Sequence, residues 1–114
     1  MQRMRNGVVG SLAVSALFAL SVSAGQGGKG DSSKGKEVFE NNQCAMCHAV
    51  DTDEKKVGPS LKGLFKKKTL ANGKPATDAN VMAQINNGGN GMPGYQDTLS
   101  AEDKTNLLTY LHAL

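Results

Sequence analysis

The 114-residue chain has no tryptophan, only two cysteines and three prolines, and no arginine after Arg5. Each shortage excludes something. Beyond residue 24 the aromatics are Phe39, Phe65, Tyr95 and Tyr110, which is little large apolar material for a small domain. A disulfide framework is ruled out, because Cys44 and Cys47 stand alone and would close too small a loop to stabilise much. The loss of arginine and the scarcity of aromatics argue against a nucleic-acid partner. No stretch alternates as a strand does, and no internal repeat is visible. Something other than side chains is expected to fill the core.

What is present begins with a leader. Met1 to Asn6 hold Arg3 and Arg5 and no acid, and Gly7 to Ala24 is uncharged and rich in Val, Leu, Ala and Ser. It closes on Val22-Ser23-Ala24, small residues where a signal peptidase reads them. Residues 1–24 therefore read as a secretory signal peptide cleaved after Ala24, and the folded part as periplasmic or otherwise exported. A retained anchor is the alternative, though the stretch is near the lower length for spanning a bilayer. After cleavage no stable membrane insertion is expected. The remaining chain keeps 11 Lys against 10 acids, a net charge of +1. The lysines are unevenly spread: Lys55, Lys56, Lys62, Lys66, Lys67, Lys68 and Lys74 lie in a stretch with no acid between Lys55 and Thr77.

Residues 25–32, with glycines at 25, 27, 28 and 30, read as a flexible lead into one domain over 33–114. Asp31, Ser32 and Ser33 offer capping oxygens for a helix over about Ser33 to Asn42. Val57-Gly58-Pro59-Ser60 is a turn, Leu61, Leu64 and Phe65 fit one helical turn, and Asn72-Gly73-Lys74-Pro75 is a loop. Thr77 or Asp78 starts a second helix with Val81, Met82 and Ile85 on one face and Gly88 as its stop. Ser100 with Asp103 resembles a capping box ahead of Leu107, Leu108, Leu111 and Leu114. The fold class is all-α, three or more short helices joined by long loops that need an organiser.

Cys44-Ala45-Met46-Cys47-His48 is the C-x-x-C-H pattern of c-type haem attachment. Two thiols at this spacing bond the two vinyl groups of one haem, and the next residue, His48, is placed to reach the iron. A zinc site would need more ligands than His112 can add, and a redox dithiol would expect a βαβ setting. For the second axial position Met46 is confined to the attachment segment, Met82 belongs to a helix face, and His112 suits a solvent-facing helix end. Met92 remains, in the glycine-rich loop Asn90-Gly91-Met92-Pro93-Gly94, where Pro93 favours an extended Met92.

Residues 33–114 resemble a class I c-type cytochrome, the small monohaem electron-transfer family. The resemblance rests on Gly35-Lys36-Glu37-Val38-Phe39, Cys44 to His48, Val57-Gly58-Pro59-Ser60-Leu61, Met92-Pro93 and the last helix. It implies a small cytochrome c fold wrapped around one covalently bound haem c per chain. It further implies that the Pro59 carbonyl accepts from the non-ligating nitrogen of His48. Gly35 and Phe39 would cross the last helix near Leu107 and Tyr110, and Tyr95 is a candidate donor to the haem propionates, since the family's usual Trp is absent. With His48 and Met92 both on the iron, no place is left for a substrate, so the expectation is a monomeric electron carrier rather than an enzyme. Redox proteins are its expected partners, and the Lys55–Lys74 stretch reads either as a docking face for an acidic one or as lysines that simply solvate a loop. A subunit role in a larger oxidoreductase is the runner-up, as is a peroxidase or ligand sensor if Met92 leaves the iron open.

Overall fold

Asp31, Thr77 and Ser100 each carry a side-chain oxygen at the start of a helix, and each accepts a backbone N–H of the first turn. The donors are Lys34, Asn80 and Asp103, at 3.1, 3.2 and 3.0 Å. The computed structural model describes residues 30–114. Its helices are α1 (Ser32–Asn41), α2 (Asp78–Asn87) and α3 (Ala101–His112), with short 3₁₀ turns at Cys44–Met46 and Leu64–Lys66. Among the described residues the only β-type pairings are the isolated bridges Thr69–Pro75 and Gly89–Met92. The architecture is the all-α one that the sequence predicts. The expected signal peptide, residues 1–24, lies outside the described residues.

α1 crosses α3 at close range because Gly35 has no side chain. A Cβ there would collide with the Asn106 carbonyl and with Tyr110 Cβ. One turn further on, the Phe39 ring meets Tyr110 at 5.5 Å in a tilted pair. The crossing therefore runs through Gly35 and Phe39 as expected, but the residue nearest Gly35 is Asn106, which the sequence did not single out. Asn106 is buried and keeps its polar group satisfied: its Oδ1 accepts from the Asp31 N–H at 2.8 Å. The Gly30 N–H donates to Thr109 at 2.8 Å. Gly30 and Asp31, expected within a flexible lead, are thus docked on α3, and α1 starts one residue earlier than predicted.

The buried apolar set is Val38, Phe39, Leu64, Val81, Ile85, Leu99, Leu107 and Leu111, drawn from all three helices and the loops between them. α2 meets α3 mainly at the helix ends. His112 Nε2 lies 2.5 Å from Asp78 Oδ1, and the His112 ring stacks on Phe65 at 3.6 Å and 12°. His112 is exposed as expected, yet it ties the last turn of α3 to the first turn of α2, where the Asp78 carboxylate suits the helix dipole. Among the described residues no helix is long and apolar enough to cross a membrane.

Candidate functional site

The three helices leave a space among them. Between them lies a cavity of about 560 Å³ walled by Val38 and Phe39 of α1, Val81 and Ile85 of α2, and Leu107 and Leu111 of α3. That is the size and character of a cofactor pocket. Cys44, Cys47, His48 and Met92 all line it. Met46, Met82 and His112, the other methionines and histidine among the described residues, do not.

The cysteine segment reaches the cavity through a change of direction after α1. Gln43 takes a left-handed conformation (φ 59°), and the chain winds into the Cys44–Met46 turn, with Cys47 and His48 N–H groups returning to the Cys44 carbonyl. Both cysteines are free and half-buried, whereas Met46 is exposed. Burial pushes the Cys44 thiol above its ordinary range, and the neighbouring Cys47 adds to that.

His48 is held by the turn that follows. Its Nδ1 is 2.7 Å from the Pro59 carbonyl, which can only accept, so Nδ1 carries the proton and Nε2 keeps a free lone pair. The turn is strapped to the histidine segment by Gly58 N–H to the Cys47 carbonyl and Leu61 N–H to the Ala49 carbonyl, both 2.8 Å. A Cβ on Gly58 would stand 2.6 Å from His48 Cε1, so the ring keeps its seat only beside glycine.

Met92 sits on the opposite kind of support. The loop after α2 runs through positive φ at Gly88, Gly89, Asn90 and Gly91, and then folds back as Gly89 and Met92 exchange backbone bonds of 2.9 and 3.0 Å. Tyr95 N–H donates to the Ile85 carbonyl at 2.9 Å and ends the excursion. The Tyr95 hydroxyl, expected as a propionate donor, donates to the Asn42 carbonyl at 3.4 Å, and burial pushes its pKa up. Gln84 Nε2 approaches Met92 Sδ at 3.8 Å and donates to the Gly88 carbonyl at 3.1 Å.

The lysines of the 55–74 stretch are all exposed, and Lys55 lines the cavity. Gln84 was not picked out from sequence, although its place three residues after Val81 puts it beside the apolar face of α2. A pair of thiols, an imidazole with its proton fixed on the far nitrogen, and a thioether, all on one apolar cavity, fit a covalently held iron macrocycle.

Comparison with known proteins agrees with that chemistry. Residues 30–111 match the family described as cytochrome c oxidase, cbb3-type, subunit III. The chain is 30% identical over 82 residues to cytochrome c6 of Diacronema lutheri, covering 72% of this chain and 94% of that one. With cytochrome c6 of Rippkaea orientalis the identity is 38% over 84 residues, covering 74% and 71%. It is also 35% identical to cytochrome c oxidase subunit 2 of Alkalihalophilus pseudofirmus, but spans only 25% of that longer protein. The solved structure of cytochrome c6 from Phaeodactylum tricornutum superposes with a TM-score of 0.54 at 30% identity, over 74% of this chain and 93% of that one.

Proposed function

The chain belongs to the small monohaem cytochrome c family, a family of electron carriers, and from that premise we propose that it is an exported one-electron carrier. In this reading Cys44 and Cys47 attach one haem c, and His48 and Met92 are its axial iron ligands. The observation that carries the reading is the shared cavity: it is lined by His48, with its proton held away on Nδ1, and by Met92 but no other candidate for the second ligand. When bound, haem supplies the ferric/ferrous couple.

The chain's own residues set the conditions for that couple. Pro59 keeps the His48 proton on Nδ1, which leaves Nε2 as the ligating atom and fixes the ring's tilt. The thioether of Met92 favours the reduced state and raises the potential. The apolar walls from α1, α2 and α3 would shield a bound haem from water and so favour its reduced, less charged state. The exposed lysines of the 55–74 stretch steer an acidic redox partner towards the cavity mouth, where Lys55 stands. The leader over residues 1–24 supports export, and the small single domain supports a monomer.

The test is the ferric absorption spectrum of the haem-loaded protein beside Met92→Ala. A weak sulfur-to-iron charge-transfer band in the parent, absent from the variant, is the expected result. A high-spin parent spectrum that the substitution leaves unchanged would overturn His48/Met92 ligation. A second reading, an electron-transfer subunit of a larger oxidoreductase, is favoured by the oxidase matches alone. Gel filtration of the protein from its native source separates the two: a free carrier elutes at the mass of one small chain, and a subunit elutes with a large partner.

A further inference from the structure

Asn72 and Gln84 are side-chain amides whose orientation is settled at each end by a backbone group with no choice of role. The Lys74 N–H can only donate, and it meets Asn72 Oδ1 at 3.0 Å. Asn72 therefore turns its Nδ2 towards Gln84, 3.2 Å away, and the atom that receives it must be Oε1. At the other end the Gly88 carbonyl can only accept, and it takes Gln84 Nε2 at 3.1 Å. The two constraints agree, so neither amide is free to flip. Met92 Sδ, 3.8 Å from Nε2, consequently faces an N–H and not a carbonyl oxygen.

We propose that Asn72 is a positioning residue for the Met92 thioether, holding the Gln84 amide with its N–H towards the sulfur and so setting how strongly that sulfur donates to iron. This rests on Met92 being an axial ligand. A donor aimed at the sulfur draws density from its lone pairs. The ferric ion depends more on that density than the ferrous ion, so the contact raises the potential. Asn72 suits the task because its own loop is braced: Leu70 N–H bonds the Lys74 carbonyl at 2.8 Å, Gly73 N–H the Leu70 carbonyl at 2.9 Å, and Ala76 N–H the Lys68 carbonyl at 3.1 Å. Both Asn72 and Gln84 line the cavity with Met92. Asn72 is also exposed at the loop tip, so replacing it opens no hole in the core.

The experiment measures midpoint potential and the energy of the sulfur-to-iron band in the haem-loaded protein. The variants are Asn72→Ala, Gln84→Leu and the two combined. Each single substitution is expected to lower the potential, and the double variant to fall no further than Gln84→Leu, since both remove the same contact. Asn72→Asp keeps the acceptor for Lys74 N–H but cannot donate, so it draws Gln84 Nε2 to itself against the hold of the Gly88 carbonyl and weakens the N–H contact on the sulfur. It is expected to shift the band in the same sense at salt high enough to screen the new charge. Parent-like values in Asn72→Ala, or shifts that add in the double variant, would overturn the proposal. Failure of the ligation premise shows separately, as a high-spin parent spectrum without the band, or as a band that survives Met92→Ala.

Discussion

The α1–α3 crossing and the α2–methionine loop region face the same cavity but are built by different means. At the crossing, backbone lies almost on backbone: Gly35 against Asn106, Phe39 against Tyr110, and the Gly30 and Asp31 N–H groups on Thr109 and Asn106. Those contacts join residues far apart in sequence. The other region is held mostly by bonds within itself, Gly89 to Met92, Gln84 to Gly88, Tyr95 to Ile85, with positive φ at four successive positions. Its side-chain links outward are few: Asn72 to Gln84, Tyr95 to Asn42, and His112 to Asp78 at the helix ends. One region is held by packing between distant segments, and the other by local bonds of its own.

The hardest test of that contrast is to remove the attachment. Cys44→Ala with Cys47→Ala should leave a largely unfolded chain, because the cavity walls come from all three helices and cannot meet across an unfilled space. A cooperative, helix-rich product by circular dichroism would break the comparison. Next comes Gly35→Val in the haem-loaded protein. It forces side-chain atoms into the Asn106 carbonyl and should cost about 3 kcal/mol or more in chemical denaturation. A loss under about 1 kcal/mol would mean the crossing is less rigid than its geometry says. Reversing Lys66, Lys67 and Lys68 to Glu should slow reaction with an acidic redox partner about tenfold at low salt and flatten the salt dependence, with little change in stability. Unchanged kinetics would remove this stretch from docking. The smallest effect is expected from His112→Ala, which removes an exposed hydrogen bond to Asp78 and a stacked ring and should cost less than about 1 kcal/mol. A larger loss in thermal unfolding would show that α2 depends on α3 more than its sparse links imply.

The two regions were not equally legible in the sequence. Local chemistry was visible: the caps Asp31, Thr77 and Ser100, the stop at Gly88, the turn through Pro59, and C-x-x-C-H with its histidine all read directly from residue type and spacing. Met92 was reached by elimination, and the structure places it on the cavity that His48 also lines. Asn106 was invisible because an asparagine on a helix normally faces water. Its burial is created by the absence of a side chain at Gly35, seventy-one residues earlier. Asn72 and Gln84 were hidden for a related reason: each looks like an ordinary polar surface residue until the loop and α2 are brought together. The His112–Asp78 pair likewise joins two helix ends that no local pattern connects.

The placement of Gly35 and Asn106 near opposite ends of the folded part has a consequence in time. While the chain is being made, α1 emerges first and has no surface to receive Gly35 and Phe39 until α3 follows. Folding of the crossing is therefore one of the last events in the life of the nascent chain. Cys44 and Cys47 lie on the segment between the two helices and stay in an open polypeptide until α3 arrives.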